Sequence, residues 1–82
     1  MIEILYFAGV RERVGLPHER IETRATTVAE LIDDLVALDD AHALAFADRA
    51  AIRAAVDQDL AEPDTSILGA REVAFFPPMT GG

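Results

Sequence analysis

The two ends of this chain, residues 1–7 (MIEILYF) and 72–76 (EVAFF), are apolar on both faces of an extended strand. Alternation puts Ile2, Ile4 and Tyr6 on one side and Glu3, Leu5 and Phe7 on the other. It divides the last segment in the same way, Val73 and Phe75 against Ala74 and Phe76. A strand with two apolar faces belongs in the middle of a sheet. The two segments are therefore expected side by side and parallel, which leaves few folds open to a chain of 82 residues.

The residues between them supply the cover. Residues 8–15 (AGVRERVG) form a connection with one helical turn, stopped by Gly15 and Pro17. Residues 18–23 (HERIET) read as a weaker, mostly polar edge strand with Ile21 turned inward. Thr27 and Glu30 make a capping box. Behind it Val28, Leu31, Ile32, Leu35 and Leu38 follow helical spacing, with Glu30, Asp33 and Asp34 on the opposite side. Asp39 and Asp40 cap a second, Ala-rich helix over about 41–48, with Leu44 and Ala47 inward and His42 at the surface. Residues 51–56 alternate, with Ile52, Ala54 and Val56 inside. Residues 57–69 carry the turn formers of an irregular connection anchored by Ile67 and Leu68. The expected fold is α+β: a mixed four-stranded sheet, first and last strands central and parallel, helices on one face. Residues 1–76 make the domain and 77–82 an extended tail.

Composition excludes several function classes. No apolar run reaches the length of a membrane span, and no charged-then-apolar leader resembles a signal peptide. There are no cysteines, which removes disulfides, thiolate metal sites and Cys nucleophiles and fits a cytoplasmic protein. The histidines and carboxylates show no metal-ligand spacing. A net charge of −8 is opposite in sign to nucleic-acid binding. All seven basic residues are Arg, so no side-chain amine is available as Schiff base or isopeptide acceptor.

Two features point to function. If Tyr6 and Phe75 face the helix, Phe7 and Phe76 emerge together on the uncovered side, joined by Leu5 and Leu60. An apolar patch on an open sheet face suggests docking; the competing reading is that residues 57–69 fold over it. The second feature is the tail. Pro77 and Pro78 cannot continue a sheet ladder, and they fix the direction in which the chain leaves it. Pro77 to Gly82 spans roughly 20 Å if extended, at ~3.3 Å per residue. Gly81 and Gly82 make a tip slender enough for a channel that admits no side chain, ending in a carboxylate.

The segments Leu5-Tyr6-Phe7-Ala8-Gly9-Val10-Arg11-Glu12-Arg13-Val14-Gly15 and Glu72-Val73-Ala74-Phe75-Phe76-Pro77-Pro78-Met79-Thr80-Gly81-Gly82 carry a family likeness. The chain resembles the small subunits of molybdopterin synthase, ubiquitin-like (β-grasp) sulfur carriers, over its full length. The resemblance implies that Gly82 is adenylated by an ATP-using, ubiquitin-activating-like adenylyltransferase, with no cofactor held permanently by the chain itself. A sulfur donor protein then converts Gly82 to a thiocarboxylate, which gives its sulfur to a cyclic pterin precursor in the large subunit of a heterotetramer. Gly81 is the slender residue behind it; Phe7, Leu60 and Phe76 match docking positions, with Arg11 a polar neighbour. Two departures touch turns: Gly69-Ala70-Arg71-Glu72 stands where an Asp-Gly-Asp-Glu turn is common, and Asp57 where Asn is common. A sulfur carrier for the thiazole of thiamine, a ubiquitin-like modifier and a β-grasp module with an inert tail are the alternatives.

Overall fold

The computed structural model describes residues 1–78. The chain runs β1 (Ile2–Tyr6), α1 (Ala8–Val14), β2 (His18–Ile21), α2 (Val28–Val36), α3 (Asp40–Ala45), a 3-10 turn (Arg49–Ala51), β3 (Arg53–Val56), β4 (Asp59–Ala61) and β5 (Glu72–Phe76). The strand order is β2-β1-β5-β3-β4. β1 and β5 pair in parallel near the middle, Ile4 opposite Val73 and Tyr6 opposite Phe75. The other pairings are antiparallel. The two doubly apolar strands thus take the positions that their composition requires.

The sheet has five strands among the described residues, where four were expected. The extra strand is β4, which the reading of 57–69 as irregular passed over. Asp57 and Gln58 both have positive φ, 48° and 76°. This matches the two-residue hairpin turn whose twist suits flanking strands, and it folds Asp59 back onto Val56. Asp57 also links the two turns at which the chain departs from the family pattern. Its Oδ1 accepts from the amides of Arg71 and Glu72 at 2.9 and 3.0 Å. Gly69, with φ 76°, completes a turn closed by the Ala70 amide on the Ile67 carbonyl at 3.0 Å.

The core lies between the sheet and the helices. Ile2, Ile4, Tyr6, Val73 and Phe75 face Val10, Leu31, Ile32 and Leu35. Phe46, at the end of α3, sits edge-on to Phe75 with ring centroids 5.0 Å apart. Burial of each such ring contributes about 1.5–3 kcal/mol. Thr27 Oγ1 accepts from the Glu30 amide at 3.2 Å, as its sequence position implies. Glu30 reaches one residue further back than a simple box, accepting from the amide and hydroxyl of Thr26, both at 2.7 Å. Those hydrogen bonds lower the Glu30 pKa below the ordinary carboxylate range.

Four expected core positions are corrected. α2 ends at Val36, so Leu38 falls past its apolar stripe and is exposed. α3 is only six residues long, and its inward face is His42 and Ala45, while Leu44 points out. Ala47 is exposed as well. Of the two anchors named for the long connection, Ile67 is buried and Leu68 is not.

His42 is the larger correction, since it is buried rather than at the surface. Its Nδ1 lies 2.7 Å from Asp39 Oδ1 and its Nε2 lies 2.6 Å from Glu19 Oε2. The same Glu19 oxygen accepts from the Tyr6 hydroxyl at 2.7 Å. One buried polar network therefore ties β1, β2 and α3 together. Burial alone would lower the imidazole pKa, but hydrogen bonds and charge from Glu19 and Asp39 outweigh it and raise it. Burial and Glu19 push the Tyr6 hydroxyl upward also.

Candidate functional site

The strand registers lay out the face of the sheet that the helices leave open. One row across it reads His18, Leu5, Ala74, Ala55, Leu60. A row toward the N-terminal end of β1 holds Arg20, Glu3 and Glu72. The row nearest the tail holds Phe76 with Arg53 opposite it, and Phe7 follows Tyr6 on the other side of Phe76. Phe7 is 48% exposed and Leu60 80% exposed, and Leu5, Ala55, Ala74 and Phe76 are half-buried. The face is thus largely apolar through its centre and tail end, where Arg53 is the charged member, with Arg20, Glu3 and Glu72 at the far end.

The long connection does not cover it. The carbonyls of Pro63 and Thr65 accept from the Ala29 and Val28 amides at 2.9 and 3.1 Å, and the Ile67 amide donates to Thr26 at 3.0 Å. The segment is spent on capping the free amides at the start of α2, on the helix side of the sheet. The covered-patch reading is thereby overturned.

Arg11 is exposed on α1 one turn beyond Phe7, its amide donating to the Phe7 carbonyl at 3.3 Å. Phe7 is the N-terminal flanking residue of α1 and keeps extended dihedrals (φ −127°, ψ 151°). Ala8 follows with φ 51°, a left-handed conformation that costs a residue with a Cβ about 1–2 kcal/mol. The abrupt change of direction after Phe7 leaves its ring on the open side while Tyr6 stays in the core.

At the other edge of this patch Pro77 and Pro78 continue from Phe76. They line a cleft with Gly9, Val10, Ala51 and Ile52, so the root of the tail has a defined bed. Gly81 and Gly82, expected to carry the chemistry, lie outside the described residues. Leu60, Phe76, Phe7 and Arg11 are all brought to one end of the domain or to the same sheet face. Sequence reasoning did not mark Arg53 as a member, although the period-2 pattern that buries Ala54 sends Arg53 to the opposite side.

Among the described residues no group of three or more His, Cys, Asp or Glu could hold a metal ion. No helix among them is long and apolar enough to cross a membrane.

Comparison with known proteins bears on the site. The model of the ThiS family matches residues 4–82. The molybdopterin synthase sulfur carrier subunit of Escherichia coli is 43% identical over 82 residues, covering all of both chains. That of Haemophilus influenzae is 32% identical, again over the whole of both. Among solved structures, SAMP1 from Haloferax volcanii superposes with a TM-score of 0.74 at 26% identity, covering 99% of this chain and 98% of its own. A putative molybdopterin converting factor subunit 1 from Pyrococcus furiosus gives 0.72 at 23% identity, covering 95% and 97%, a likeness of fold. The β-grasp architecture that the family resemblance implies is the one these neighbours share.

Proposed function

The chain belongs to the ThiS family, and from that premise we propose that it is the sulfur carrier subunit of a molybdopterin synthase. The observation that carries the reading is end-to-end identity of 43% with a protein of that name. The Phe76-Pro77-Pro78 exit and the Gly81-Gly82 end support it.

In this reading Gly82 reacts. A free α-carboxylate, pKa about 3.3–3.7, is ionised at neutral pH and is a poor electrophile. An ATP-using, ubiquitin-activating-like enzyme overcomes this by joining the carboxylate oxygen to the α-phosphorus of ATP, with pyrophosphate leaving. Sulfide released at the HS⁻ level by a sulfur donor protein then attacks the acyl carbon, the acyl–oxygen bond to AMP breaks, and a thiocarboxylate is left. Inside the large subunit that sulfur bonds to a carbon of the cyclic pterin precursor as an oxygen leaving group departs, and water then cleaves the acyl–sulfur bond and returns the Gly82 carboxylate. Phe7, Leu60 and Phe76 dock the domain, with Arg11 at the margin, and the tail supplies reach; the partner need only hold the acceptor in line. Catalytic groups sit in the partners, and the present chain carries the sulfur.

The test is intact mass after incubation with the activating enzyme, ATP and a sulfur source. The native chain should gain the difference between one sulfur and one oxygen. A second reading, a ubiquitin-like modifier, has its support in the Haloferax volcanii structure described as small archaeal modifier protein 1, 27% identical. It predicts adducts joined to lysines of other proteins; without Lys the chain could build none on its own side chains.

A further inference from the structure

The inference concerns Arg53 and rests on the docking reading of the open face. Arg53 stands opposite Phe76 in the β3–β5 register, and residues so paired hold their Cβ atoms about 4.5–5.5 Å apart. Ala54 beside it is buried, so alternation directs Arg53 to the face that carries Phe76. Arg53 is exposed, and among the described residues its side chain makes no ion pair. Arg20 and Arg49, by contrast, are each held by a carboxylate, Glu3 at 3.4 Å and Asp33 at 2.7 Å.

A partner that dries Phe76 must also take water from Arg53. A guanidinium keeps its charge under those conditions, because it does not deprotonate in proteins. Desolvation without an acceptor would oppose binding strongly, and the planar fork of Arg suits a carboxylate best. The far row of the same face carries Arg20, Glu3 and Glu72; Glu3 is paired with Arg20, which leaves Glu72 as the charge there, opposite in sign to Arg53. A partner surface rotated by half a turn would meet the wrong sign at both.

We propose that Arg53 pairs with a carboxylate on the large subunit, set beside the apolar socket that receives Phe76, and that this pair fixes the orientation in which the sheet face docks. The residue is a specificity determinant of the interface, acting together with the apolar row.

The experiment is titration calorimetry of the full chain against the large subunit from the same organism, with circular dichroism on every variant. Phe76→Asp reports on the face, and Arg53→Glu, Arg53→Leu and Arg53→Lys report on the pair. Arg53→Glu should weaken binding by about 100-fold or more, Arg53→Leu by about 10-fold, and Arg53→Lys by less than Arg53→Leu. If Arg53→Glu stays within about threefold of native while Phe76→Asp fails to bind, the pair is refuted and the docking face stands. If Arg53→Leu binds as tightly as native, no carboxylate faces Arg53 and the inference is overturned, whatever Arg53→Glu does. Native affinity in Phe76→Asp would overturn the docking face itself, and the Arg53 proposal with it.

Discussion

The Phe7 amide donates to the Phe75 carbonyl at 3.0 Å, so the ladder between the two central strands runs one residue past the end of β1. That bond holds Phe7 extended and level with Phe76 before the chain turns into α1. Two aromatic residues from opposite ends of the sequence thereby form one patch, at the point where Pro77 begins the tail. The patch and the tail exit share a single base.

The first prediction follows from the exposure of that patch. Phe7→Asp and Phe76→Asp should each keep the native circular dichroism spectrum and change unfolding stability by about 1 kcal/mol or less. Each should lose most of its binding to the large subunit, because a carboxylate desolvated against an apolar socket costs several kcal/mol. Thermal melts and a pull-down on the same preparations check both halves. Unfolding of both variants would mean that these rings belong to the core.

The buried His42 network predicts a dependence of stability on pH. Folding raises the His42 pKa above its ordinary ~6.5. Its contribution is therefore complete below that ordinary value and lost as pH rises through the folded one. Asp39 is shifted the other way, chiefly by the His42 amide; its contribution is present above the ordinary carboxylate range and lost as pH falls through the depressed value. Urea midpoints should fall from about pH 6 to about pH 9 in the native chain. His42→Gln should be about 1–3 kcal/mol less stable at pH 6 and show little of that fall. An equal fall in both proteins would remove His42 as the titrating group.

The β3–β4 turn supplies the third prediction. Gln58 sits at φ 76° with a Cβ, so Gln58→Gly should stabilise the domain by up to about 1 kcal/mol through relief of that strain. Asp57→Ala should destabilise it by about 1–3 kcal/mol, since it strips the acceptor from the Arg71 and Glu72 amides. Asp57→Asn keeps an Oδ1 acceptor and tolerance of positive φ, and should cost less than Asp57→Ala. Chemical denaturation of the three variants measures this; destabilisation by Gln58→Gly would contradict it.

What the sequence discloses here depends on the range of the interaction that decides each feature. The central pairing of β1 with β5 is legible because it is written into the apolarity of each strand separately, and α2 because cap and stripe lie within a few residues of one another. β4 is hidden: Asp57-Gln58 lacks the glycine that usually marks such a turn, and three residues are too few to show alternation. His42 misleads for a different reason. Its partner Glu19 is 23 positions away on β2, so nothing in the local Asp40–Ala45 stretch distinguishes a surface His from one clamped between two carboxylates. Phe46 went unassigned because a helix as short as α3 shows no stripe to which it could belong. At the candidate site, Phe7 and Phe76 could be read from period 2 alone, whereas Arg53 becomes meaningful only once the β3–β5 register sets it opposite Phe76.

The last prediction concerns the length of the tail. Pro78 is half-buried in the cleft formed with Gly9, Val10, Ala51 and Ile52, so the tether starts from a fixed point and its residue count sets where the terminal carboxylate arrives. Adding one residue after Gly82 moves that carboxylate by about 3.3 Å, enough to spoil alignment with an activated phosphate or a bound acceptor. The extended chain, and one lacking Gly82, should therefore melt like the native protein yet gain no sulfur when incubated with the activating enzyme, ATP and a sulfur source. Gly81→Val should fail as well, because a β-branched side chain restricts the backbone and widens the tip that must enter the partner. Intact mass reads the loading step, and conversion of the pterin precursor by the reconstituted synthase reads the transfer. Should the extended chain load and support conversion as well as the native one, the terminal carboxylate is not where sulfur is carried, and the tail is inert.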